Sequence, residues 1–105
     1  MTLLPVEEGP QVVCDLQEAV RFLRKTGPGI AQRFLTAVYD TFEELGRFPE
    51  LGRRRSDVPH PGLRSWHVRG FRQWLIFYEV ETNRVRIWRI LHDARDLTRE
   101  LADLS

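Results

Sequence analysis

The sequence predicts an α+β domain, a helical hairpin laid on an antiparallel-rich four-stranded sheet in the order β-α-α-β-β-β-α. Two observations carry that prediction. In the first half, apolar residues recur every three to four positions in two runs separated by Thr26-Gly27-Pro28-Gly29, the pattern of two amphipathic helices joined by a tight break. In the second half the period changes to two in three successive runs, joined by turn residues at Gly70 and Thr82-Asn83. A chain of 105 residues holds one modest core, so residues 1–105 are expected to form one domain.

Taken in order, Thr2 to Val6 is a short apolar run ended by Glu7-Glu8-Gly9-Pro10, which suits a first strand followed by a breaker. From about Pro10 to Lys25 the stripe Val13, Leu16, Ala19/Val20 and Leu23 marks a first helix, with Pro10 where a first turn tolerates it. Ile30, Phe34, Val38, Phe42 and Leu45 mark a second, longer helix that ends before Phe48-Pro49. Glu50 to Leu63, rich in Gly and Pro, reads as a loop. Strands follow near 64–69, 72–80 and 84–91, turned at Gly70 and Thr82-Asn83, and the first strand is expected to pair with the last. Leu97, Leu101 and Leu104 then return to helical spacing in a short terminal helix.

A composition of 42% hydrophobic and 30% charged residues is that of a folding chain and excludes a disordered one. Cys14, the single cysteine, rules out an internal disulfide, and no Cys/His spacing suggests a metal site or a cofactor. Cys14 is expected to be a buried or half-buried structural thiol. A reducing cytoplasm fits, with no targeting segment and no run of apolar residues long enough to span a membrane. The net charge of +1 hides an asymmetry: residues 1–50 carry 5 basic and 8 acidic side chains (−3), residues 51–105 carry 11 and 7 (+4). Fifteen of the 16 basic residues are arginine, which favours bidentate contact with carboxylate or phosphate.

Asp15-Leu16, Ala31-Gln32-Arg33-Phe34, the turn Leu45-Gly46-Arg47-Phe48-Pro49-Glu50-Leu51-Gly52, Leu63-Arg64, Leu75 to Val80, and Val85 to Leu97 with its His92-x-x-Arg95-Asp96 ending are separated stretches that together resemble the ParE-type toxins of the RelE/ParE superfamily, also called plasmid stabilisation proteins. The order and spacing of these pieces carry the resemblance. It implies a RelE/ParE-like fold and a growth-arresting toxin of a type II toxin-antitoxin module, neutralised by a cognate antitoxin with which it forms a hetero-oligomer. Such a partner would lay an acidic, amphipathic stretch across the hairpin and the arginine-bearing sheet.

The superfamily divides between poisons of DNA gyrase and ribosome-dependent messenger RNA endonucleases, the mRNA interferases. Cutting RNA needs a proton acceptor, a proton donor and cations for the crowded phosphorane. RelE is similar in fold but relies on lysines, arginines and a C-terminal tyrosine, whereas here Lys25 is the only lysine and no tyrosine follows Tyr78. The gyrase branch is therefore preferred, with RNA cleavage and a degenerate toxin that only binds its antitoxin as alternatives.

If the chain is a nuclease, His92 is the best acid-base candidate, with Arg95, Arg64 and Arg89 as the cations. The plainer reading of His92 is a strand cap bonded to backbone or to Asp96. His67 and His60 read as a solvated ring and a loop residue. For contact with target or antitoxin the candidates are Arg53, Arg54, Arg55, Arg69, Arg89 and Arg95, several of them in loops where a fixed role is plausible. Asp96 reads as a cap of the terminal helix or the partner of a nearby arginine, and the three tryptophans as cross-strand packing rather than base stacking.

Overall fold

The computed structural model describes residues 3–58 and 60–102. The elements are β1 (Val6–Glu8), α1 (Val12–Leu23), α2 (Ile30–Arg47), β2 (Arg53–Arg54), β3 (Arg64–Val68), β4 (Phe71–Val80), β5 (Val85–His92) and α3 (Leu97–Glu100). The sheet order is β1-β5-β4-β3-β2, with β1 parallel to β5 and every other pair antiparallel. The expected pairing of first and last strands is present.

The helices form because each buries one stripe. On α2 that stripe is Phe34, Val38, Phe42 and Leu45, as the spacing predicts, and Gly29 opens the helix with φ 78°, a left-handed conformation that glycine adopts without strain. On α1 the buried stripe is Val12, Leu16, Ala19 and Leu23, while Val13 is 57% exposed. The expected stripe was therefore off by one position at its start. Its fifth member is an acid, Asp15, which apolar spacing alone leaves out.

Three further expectations change. The sheet has five strands rather than four, because Arg53–Arg54 in the predicted loop pairs with Ser65 and Arg64 of β3. Two residues are too few to show a period, so only the neighbour makes this a strand. The first strand lies at Val6–Glu8 rather than at 2–6, where Val85 N–H donates to Pro5 O (2.9 Å) and Gly9 N–H to Ile87 O (2.8 Å). An edge position tolerates the two exposed glutamates there; Thr2 lies outside the described residues. Cys14 is exposed on α1 rather than buried, since it falls off the stripe that Val12 and Leu16 define.

The sheet is also covered on both faces. The hairpin and one face enclose Phe34, Val38, Ile76, Tyr78, Ile87 and Ile90, whereas Phe77 and Leu91 of the sheet form a second core with Val58, Leu63 and, just past α3, Leu101. That is why β4 reads as a nearly continuous apolar run. A bulge divides β5 between the two cores: Phe77 pairs with Arg89 and Tyr78 with Ile87, leaving Trp88 as the extra residue. Ile87 and Ile90, three apart, thus share the hairpin side while Trp88 and Leu91 join the other. The terminal helix is one short turn, capped by the Asp96 side chain accepting from Arg99 N–H, and Leu104 lies outside the described residues.

Candidate functional site

The buried acid on α1 has a single partner of matching shape. Arg89 on β5 donates Nε to Asp15 Oδ2 (2.8 Å) and Nη2 to Oδ1 (2.9 Å), and Ile90 N–H also donates to Oδ2 (2.9 Å). Arg89 Nη1 donates to Glu100 O (3.0 Å), so one guanidinium joins α1, β5 and α3. Its hydrogen bonds to Asp15 hold it charged beyond its usual range, against the opposing effect of burial. Taking away one member of such a buried pair typically costs about 3–5 kcal/mol, because the other charge is left in a low-dielectric interior.

Beside this pair lies a cleft of about 470 Å³ between α1 and the carboxyl end of β5. Three rings meet edge to face there: Trp74 and His92 with centroids 5.1 Å apart, Phe22 and Trp74 at 6.1 Å, Phe22 and His92 at 6.2 Å. His92 Nδ1 accepts from Ala94 N–H (3.1 Å), so in the neutral ring the proton sits on Nε2. This is the backbone cap that the sequence offered as the plainer reading of His92. Arg95 reaches across the cleft to Glu18 of α1 and to Glu100 (3.1 Å), while Arg21 and Lys25 stand on the α1 rim. The hydrogen bond that Arg95 donates to Glu18 raises the arginine's pKa further.

Of the arginines singled out from sequence, Arg95 lines the cleft with His92, Arg89 lies beside it bonded to the lining residue Asp15, and the others lie elsewhere. Arg55 is buried in a bidentate pair with Asp57 (2.8 and 2.6 Å), donates to Ser65 Oγ (3.0 Å) and lies over the Phe77 ring. That contact pulls the Asp57 carboxyl down to about 2. Arg64 donates to Gly52 O (2.7 Å) and so anchors the Phe48-Pro49-Glu50-Leu51-Gly52 turn. Tyr78 completes that anchor: its hydroxyl donates to Pro49 O (2.7 Å) and accepts from Gly52 N–H (2.8 Å), and burial raises its pKa. A Cβ on Gly52 would stand 2.6 Å from that hydroxyl, so only glycine fits.

Arg53 and Arg54 are exposed on the edge strand β2, and Arg69 is exposed where β3 turns into β4. His67 lies against Trp66, with centroids 4.6 Å apart, and His60 sits in the loop with its Nδ1 3.0 Å from Pro61 O. Trp66 and Trp74 pack on the hairpin core and Trp88 on the second core, all partly buried. Among the described residues no group of three His, Cys, Asp or Glu side chains could hold a metal ion, and no helix is long and apolar enough to cross a membrane. Sequence reasoning missed Asp15, Phe22, Trp74 and Lys25 as members of the site. Only Asp15 left a signal, as part of the Asp15-Leu16 stretch that carries the resemblance.

Residues 9–97 match the family of the ParE toxin of type II toxin-antitoxin systems, parDE. Toxin ParE3 of Caulobacter vibrioides is 36% identical over 75 residues, 71% of each chain, and Toxin RelE3 of the same organism is 32% identical over 88 residues, 83% of this chain and 91% of the relative. The fold superposes with a TM-score of 0.68 on a chain described as the chromosomal ParDE TA system from P. aeruginosa, at 18% identity over 86% of this chain and 96% of that one. The chain therefore belongs to the RelE/ParE superfamily, as a toxin of the ParE family of type II toxin-antitoxin systems.

Proposed function

We propose that this toxin arrests growth in the cytoplasm by poisoning DNA gyrase, and that a cognate antitoxin neutralises it. The observation that supports this reading best is where the cations are committed. Arg89 and Arg64, two of the three cations assigned to a phosphorane, are bonded to Asp15 and Gly52 O within the fold. The Tyr78 hydroxyl is enclosed between Pro49 and Gly52. What remains open is a surface of rings and rim charges, suited to binding rather than to proton transfer.

Ribosome-dependent RNA cleavage is the second reading, favoured by one observation, that His92 and Arg95 line the same cleft. Two assays separate the two: supercoiling by purified gyrase with added protein, and primer extension on ribosome-bound messenger RNA from induced cells. The gyrase reading expects inhibited supercoiling, unchanged to within about twofold by His92→Ala. Ribosome-dependent cuts that fall by about 10²-fold or more in His92→Ala, with supercoiling unaffected, would replace it with the nuclease. Normal growth at verified expression would leave a degenerate toxin.

A further inference from the structure

We infer that the edge strand β2 is a seat for the phosphate backbone of double-stranded DNA, with Arg53 and Arg54 as the contacts. The inference goes beyond the gyrase reading and does not depend on it, since the contact is measured on this chain without gyrase.

The first observation is a like-charge pair with nothing to balance it. Arg54 stands directly opposite Arg64 on β3, and like charges facing each other across two strands are destabilising. Arg64 donates to Gly52 O (2.7 Å), a neutral carbonyl that leaves the arginine's charge uncompensated. Among the described residues no carboxylate lies within 4.0 Å of Arg53, Arg54 or Arg64. Asp57 feels the charge of Arg53, but its oxygens are taken by the Arg55 fork. Three cations thus share a small block of sheet, and an incoming anion would relieve their repulsion.

Second, β2 ends the sheet order and both of its residues are exposed, so its outer side is open. Successive side chains leave a strand on opposite faces, which lets Arg53 and Arg54 straddle a backbone lying along the edge. Each planar fork matches two oxygens of one phosphate. Third, the other exposed arginines face acids. Arg69 shares its groove with Asp40, Glu43 and Glu44, which repel phosphate, and Arg95 holds Glu18 and Glu100. The repeat of charge favours a duplex over an acidic peptide: DNA offers one charge about every 1.7 Å and binds through released counterions, with no apolar anchor required.

The probe is a fluorescein-labelled DNA duplex of mixed sequence, titrated with the full chain and read by anisotropy. A Kd on the order of 10⁻⁵ M is expected at about 50 mM salt, weakening with a log-log salt slope of about −2 for two phosphate contacts. Arg53→Ala and Arg54→Ala should each weaken binding about three- to tenfold and reduce the slope by about 1. Arg69→Ala and Arg95→Ala, at cations already facing acids, should leave it within about twofold. Without DNA, Arg54→Gln should raise the thermal midpoint by roughly 1–4 °C at low salt, a gain that shrinks as added salt screens the repulsion. A lower midpoint would make Arg54 a structural residue and overturn the inference. So would no binding of the duplex, equal binding by the Arg53 and Arg54 variants, or tighter binding of poly-glutamate or single-stranded RNA than of the duplex. Gyrase inhibition by a wild-type chain that ignores the duplex would sink this inference alone and leave the gyrase reading standing.

Discussion

The two ends of the sheet use arginine in opposite ways. At the β2–β3 end Arg55 and Arg64 are turned inward, one onto Asp57 and Ser65, the other onto Gly52 O, and both fasten a loop. At the carboxyl end of β5 the arginines divide: Arg89 is locked to a buried acid, while six residues later Arg95 bridges exposed Glu18 and half-buried Glu100. Side-chain type is the same throughout. What differs is how much water each partner keeps, and that decides whether an arginine holds the fold or stays available to a ligand.

The comparison breaks most sharply at Asp15. Asp15→Ala strands the Arg89 guanidinium and the Ile90 N–H beneath α1, and should lower stability by about 3–5 kcal/mol in urea unfolding. Glu18→Ala, one turn along and exposed, should change it by about 0.5 kcal/mol or less. Equal effects of the two would remove the distinction between locked and exchangeable arginines.

At the other end the matching test is Tyr78→Phe, which leaves Gly52 N–H and Pro49 C=O without their buried partner. A loss of about 1–3 kcal/mol is expected, with the fold and the α1–β5 cleft unchanged by ¹⁵N correlation spectra. No loss would mean that Arg64 alone holds the turn.

The smallest effect is the pH response of Asp57. Its carboxyl is held at about 2 when folded, chiefly by the hydrogen bond from Arg55, and near its ordinary value of 3.8 when unfolded. The ion pair therefore contributes fully above about pH 4 and loses its contribution as pH falls through 2. Because the Asp57 side chain is 59% exposed, solvent screening limits that contribution to about 1 kcal/mol or less. Thermal unfolding of Asp57→Asn beside the wild type between pH 5 and 2 should show a gap that narrows with acid; a constant gap would assign the difference to packing.

Much of the fold was legible before any coordinates. Phe34, Val38, Phe42 and Leu45 share a helical face in any context that offers a core, and the TGPG break and the aromatic run of β4 leave few other arrangements. Local periodicity misplaced the start of α1 by one residue because Val12 and Val13 are equally apolar, and only the sheet beneath chooses between them. It missed β2 because a two-residue strand has no period. The site was legible only in part: His92, Arg89 and Arg95 follow one another along the chain, so their proximity needed no folding.

Sequence by itself determined the helices, the three long strands and the wealth of arginine in the second half, because spacing and composition are local properties. The tertiary structure alone decided which arginines are committed, since Asp15 and Arg89 are 74 positions apart and meet only when α1 packs on β5. It likewise decided that Phe22 stays half open beside Trp74 while Tyr78 is sealed under the Phe48–Gly52 turn. Burial and charge pairing arise from distant segments brought together, and no pattern along the chain records that meeting.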